Sequence, residues 1–121
     1  MTITIHIPLP HRSLSPNARQ HWRVSAKHKA ALRAAAKYAA IVPQPVEPWP
    51  AAEVQAHFRF PTARKRDRDN LLSSLKAAFD GLQDARLIAD DSGVVHLPVT
   101  YAKAQPGEQV GVTLTVRRID A

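Results

Sequence analysis

A chain of 121 residues has room for one domain around a single modest core, and its 45% hydrophobic content is too high for a disordered polymer. No apolar run approaches the ~20 residues that span a bilayer, and Met1-Thr2-Ile3-Thr4 lacks a basic leader, so an intracellular protein with no membrane segment is expected. Cysteine is absent, which excludes disulfides, thiolate zinc sites and a cysteine nucleophile and leaves any metal to oxygen or imidazole ligands. The net charge of +7 favours a polyanionic partner, nucleic acid above all, or else serves solubility alone.

Ile3, Ile5, Ile7 and Leu9 alternate with polar neighbours and predict a half-buried strand ending at Pro10. An irregular polar stretch runs from there to Trp22. Ser25 is placed to cap an Ala-rich helix to about Ile41 that carries Lys27, Lys29, Arg33 and Lys37. Four prolines between Pro43 and Pro50 then make a stiff connector. A second strand has Val54, Ala56, Phe58 and Phe60 inward and Gln55, His57 and Arg59 outward. Arg64-Lys65-Arg66 leads into Asp67-Arg68-Asp69-Asn70 and a helix to about Leu82, with Leu71, Leu72, Leu75, Phe79 and Leu82 as its buried stripe. After a turn through Asp90 to Gly93, two strands, about Val94 to Ala102 and Gln109 to Arg118, are expected to form a hairpin about Pro106-Gly107. The expected fold is a single α+β domain over residues 1–121, in the order β-α-β-α-β-β, with helices on a mostly antiparallel sheet.

Six of the ten acids fall between Asp67 and Asp91. Asp67 and Asp69, two apart in extended backbone, point the same way. At ~5 Å and an effective dielectric of ~20 their repulsion costs about 3 kcal/mol, which a hard cation such as Mg²⁺ or Mn²⁺ relieves. The plainer reading makes Asp69 or Asn70 the N-cap of the following helix. An EF-hand is excluded, because Leu71 and Leu72 stand where its next ligand and glycine belong. Asp90 and Asp91 form either an Asx turn or the completion of a three-carboxylate site. Lys76 pairs with Asp80 at i+4 or, at i+7 from Asp69, projects toward the carboxylates to meet a phosphate.

Arg66-Asp67-Arg68-Asp69-Asn70-Leu71, Lys76-Ala77-Ala78-Phe79-Asp80-Gly81-Leu82 and Asp90-Asp91-Ser92-Gly93-Val94-Val95 together resemble the RusA family of Holliday junction resolvases, small endonucleases often of phage or prophage origin. The resemblance covers most of the chain. It implies that Asp67, Asp69 and Asp91 bind metal, that Lys76 is the catalytic lysine, and that a homodimer uses Mg²⁺ or Mn²⁺ to nick four-way DNA junctions symmetrically. The motif in its best-known form sets the lysine four residues after the second aspartate, where this chain has Ser73. The part of Asp90, ligand or supporting group, stays open.

Arg12, Arg19, Arg23, Lys27, Lys29, Arg64, Lys65, Arg66 and Arg68 are the candidates for neutralising DNA phosphates. His21 and Trp22 either contact DNA or, for Trp22, anchor a core. None of the six histidines has metal-ligand spacing. Two rivals remain: a DNA-binding protein whose aspartates are helix caps, and a metal-dependent nuclease of other branched DNA.

Overall fold

The computed structural model describes residues 1–16 and 22–119. The elements are β1 (Thr2–Ile7), a 3-10 turn (Arg12–Leu14), α1 (Trp22–Ile41), β2 (Ala52–Phe60), α2 (Arg68–Ser73), α3 (Lys76–Asp84), a 3-10 turn (Asp91–Gly93), β3 (Val94–His96), β4 (Thr100–Lys103) and β5 (Gly111–Arg118). The α+β expectation holds: one five-stranded, mostly antiparallel sheet carries the helices. Arg19 and His21 lie outside the described residues. Among the described residues no helix is long and apolar enough to cross a membrane.

The sheet is organised around β2. Ala52, Val54, Ala56, Phe58 and Phe60 are buried in strict alternation, and both edges of the strand are paired. On one side β5 runs antiparallel to it, from Ala52 opposite Arg118 to Arg59 opposite Gly111, and β1 runs antiparallel to β5. On the other side β3 and β4 lie parallel to it. The expected terminal hairpin is therefore incorrect. Gly107 does make a turn, with φ +89°, but the chain after it crosses to the far edge of β2. The single strand expected from Val94 to Ala102 is also two short strands. Leu97 N–H still bonds to the Val54 carbonyl at 2.9 Å, but Pro98 has no N–H to continue the ladder.

Helix boundaries moved for local reasons. α1 begins at Trp22, so Ser25 lies inside its first turn rather than at the cap. The expected continuous helix to Leu82 breaks in two at Ser74-Leu75. The Ser74 hydroxyl donates to the Leu71 carbonyl at 2.6 Å, and Leu75 N–H bonds to Leu72 in a tightened turn. The break lets Leu75, Ala78 and Leu82 sink fully into the core beneath α1. Gly81 permits that approach, since a Cβ there would collide with the Arg33 carbonyl oxygen. The proline connector is pinned by Trp49, 2% exposed, whose backbone bonds to Leu87 at 3.0 Å and Ala89 at 2.9 Å. Trp49, and not Trp22, is the buried tryptophan anchor; Trp22 is exposed.

Candidate active site

Asp67 and Asp69 stand where the chain leaves β2 and enters α2. Asp67 is extended (φ −84°, ψ 116°) and is itself the N-cap, with Oδ1 accepting from Asp69 N at 2.9 Å and Asn70 N at 3.1 Å. The expectation that Asp69 or Asn70 caps the helix is thus incorrect, because the helix starts one residue earlier, at Arg68. Capping fixes Asp67 and leaves its Oδ2 and the exposed Asp69 carboxylate outside the cap. The expectation that extended backbone turns both carboxylates the same way is incorrect, because Asp69 already lies in the first turn of α2; in type and number they are still the hard oxygen donors that Mg²⁺ accepts alongside phosphate oxygens and water.

Asp91 belongs to another acidic grouping. It donates a hydrogen bond to Asp90, and that bond, burial and the charges of Asp90 and Asp80 raise its carboxyl above the usual range. Asp90, accepting from Asp91 and from Ser92, is lowered. His96, with Phe79 tilted against its ring at 4.7 Å, is lowered by burial and pulled partly back by Asp91. Among the described residues no three His, Asp or Glu side chains stand close enough to hold a metal ion. Asp67, Asp69 and Asp91 are therefore not gathered into a three-carboxylate cage within the chain. The charge of Asp80 acting on Asp91 was not legible, because the i+4 spacing pointed to Lys76.

Lys76 is the first residue of α3. The break at Ser74-Leu75 removes the two continuous helical turns that were to carry it back over Asp69. It borders a groove of about 430 Å³ between α1 and α3, with Lys29, Arg33 and Asp80. No ion pair joins Lys76 to Asp80, while Arg33 pairs with Asp84 at 2.5 Å.

The basic segment before the carboxylates is held by aromatic residues from two strands, β2 and β4. The Arg66 guanidinium lies over the Phe60 ring at 3.5 Å, and Tyr101 Oη accepts from Arg66 N at 3.1 Å and donates to its carbonyl at 3.3 Å. Burial, and then the charge of Arg64, lower the Arg66 pKa, and its Nε is buried with no hydrogen-bond partner. Arg12, Arg64 and Arg66 line a cavity of about 300 Å³ whose walls include Asn70 and Leu71 and no acidic residue. The 3-10 turn bearing Arg12 is clasped to α1 by His11, stacked on His28 with ring centroids 3.4 Å apart and planes 1° from parallel. His11 Nδ1 also accepts from Ser13 N at 3.1 Å. Arg23 and Lys27 sit on the exposed face of α1, and Lys65 and Arg68 are exposed beside the carboxylate pair.

No protein-family model matches the chain. An uncharacterized protein of Xylella fastidiosa (strain Temecula1) is 32% identical to it over an alignment covering 93% of this chain and 75% of that protein.

Proposed function

The chain belongs to one family with the Xylella fastidiosa protein; from its acidic motif and basic surface we propose that it is a Mg²⁺-dependent, structure-selective endodeoxyribonuclease of the RusA type, acting on four-way DNA junctions as a homodimer. The observation that supports this reading is the carboxylate pair at the start of α2, with Asp67 held as the helix cap, following a basic cavity with no acid in its lining. Asp67 and Asp69 would hold the divalent ion, which supplies an acidified water for in-line attack on phosphorus and offsets charge on the phosphate. Arg12, Arg64 and Arg66 present cations to the strand, the last of them held over Phe60. The Arg66 side chain reaches its position already desolvated against Phe60, so less ordering is left for the bound state. Lys76, with Lys29 and Arg33 beside it, offers a cation to a phosphate entering the α1–α3 groove. Asp91 enters the ligand set by resemblance, and Asp91→Asn tests it separately.

One observation favours a second reading. Asp67 already has a structural duty as a cap, and a DNA-binding protein without catalysis would need no more of it. A synthetic four-way junction incubated with and without Mg²⁺ decides between them. The nuclease reading expects symmetric nicks that require Mg²⁺ and vanish in Asp69→Asn while binding persists. Binding without nicking in the wild type establishes the second reading, and nicking of flaps but not junctions replaces the substrate.

A further inference from the structure

Among the described residues the helices cover one face of the sheet and leave the other bare. On the bare face β2 turns out Glu53, Gln55, His57 and Arg59, all half-buried, and β5 turns out Thr113 and Thr115. Glu53, the acid on this part of the sheet, is paired with Arg117 at 2.7 Å. Arg59 has only neutral partners: Nε donates to the Gln109 carbonyl at 3.1 Å and Nη2 to the Thr113 hydroxyl at 2.5 Å. His6 Nδ1 lies 3.0 Å from the same hydroxyl. His6, Arg59 and Gln109 line a cavity of about 260 Å³ with Pro8 and Gly111 and no carboxylate, and the Thr113 hydroxyl beside it holds Arg59 in place. Gly111, at φ +153°, shapes it, since a Cβ there would come within 2.8 Å of the Ile7 carbonyl oxygen.

A guanidinium held by two neutral acceptors keeps its full charge and is pre-oriented, and its remaining Nη donors form the planar fork that matches a phosphate. Arg59 and Arg66 also bracket one end of β2. Arg59 emerges on the bare face, while Arg66 lies over Phe60, whose side chain faces the helices. We infer that the His6–Arg59–Thr113 pocket binds a backbone phosphate of the nucleic-acid strand, so that a strand crossing the end of β2 is gripped on both faces of the sheet. The inference rests on the DNA-cleavage reading for its ligand, and it adds a contact surface remote from the helices.

The test compares wild type with Arg59→Gln, Arg59→Lys and Thr113→Val in four-way-junction binding across salt concentrations. His57→Gln, on the same strand and outside the pocket, is the control. Losing one phosphate contact lowers the salt slope by about one and weakens binding at a fixed low salt by roughly tenfold. Arg59→Gln shows both effects, Thr113→Val a smaller weakening, Arg59→Lys a partial recovery, and His57→Gln neither effect. In parallel, His6 and Thr113 resonances of the wild type are followed as a short single-stranded oligodeoxynucleotide, or inorganic phosphate alone, is added. Shifts with the oligonucleotide at lower concentration than with phosphate support the strand assignment; shifts with phosphate only overturn it. An Arg59→Gln protein that folds and keeps the wild-type slope and affinity also overturns it. A wild type whose junction binding depends on Arg59 but which never nicks with Mg²⁺ retains this pocket and removes the nuclease, so the two failures are distinct.

Discussion

Replacing Asp67 by Asn keeps a side-chain oxygen for the N–H groups of Asp69 and Asn70 but removes the charge. Asp67→Asn is therefore expected to keep the wild-type melting temperature within a degree or two and to lose cleavage by roughly a hundredfold or more, at or beyond the 10–100-fold typical of groups that only support metal ligands. Asp67→Ala loses the cap as well, at about 1 kcal/mol of stability read from urea unfolding. Equal cleavage by wild type and Asp67→Asn would end the metal assignment. His28 offers a separate test. Burial, then the charges of His11 and Lys27, hold its pKa below the ordinary value. The folded state prefers neutral His28, so this stabilisation is complete above the ordinary histidine pKa and is lost as pH falls through the lowered folded value. Histidine NMR titration should place His28 below the ordinary imidazole range. His28→Phe, which keeps a ring on His11, should flatten the fall in melting temperature between pH 7 and pH 5; an unchanged slope would refute the clasp. The functional residues that sequence missed, Phe60 and Tyr101 around Arg66 and His28 beneath His11, are far apart along the chain. Their partnership depends on strand pairing, which no local spacing encodes.

At the scale of elements, periodicity was legible and partnership was not. The alternation in β2 and β5 and the leucine stripe located strands and helices because burial of one face imposes those periods. The Pro106-Gly107 turn was legible too. Its proximity suggested a hairpin, yet β5 gains a longer partner in β2, along eight paired positions, than the four-residue β4 offers. The helix break was hidden because a serine hydroxyl competing for a carbonyl is a conformational choice rather than a pattern. Gly81 supplies the test of the α1–α3 packing. Gly81→Ala drives a methyl into the Arg33 carbonyl and against Ala36, and should cost about 1–3 kcal/mol in urea unfolding. A neutral result would mean that the helices separate easily, and the groove holding Lys76 with them.

For the molecule as a whole, the charge of +7 was the earliest pointer to a polyanion, and its distribution is more telling than its size. Three arginines surround a cavity without acids, while Asp80, Asp90 and Asp91 crowd elsewhere. Junction affinity should fall linearly on a log–log plot against salt, with a slope near −0.9 per phosphate neutralised. Sedimentation equilibrium should return twice the chain mass, since a two-fold dimer mirrors the pseudo-two-fold of a four-way junction. A monomer at micromolar concentration would leave paired nicking without a structural basis. The fold class was readable from element order. The division of the acids into two groups was not, because it follows from β3 docking parallel to β2 rather than from their order in sequence.

Among the described residues strand β1 has β5 as its sole ladder neighbour, with Thr2 opposite Arg117 and Ile7 opposite Val112. The first strand thus waits for the last: until β5 has zipped onto β2, residues 2–7 have no template, and such distant loop closures are slow. If a protease nick in the exposed 105–110 loop were followed by release of the C-terminal fragment, two strands and not one would lose their place, parting His6 from Thr113 on the bare face and leaving β2 with an open flank.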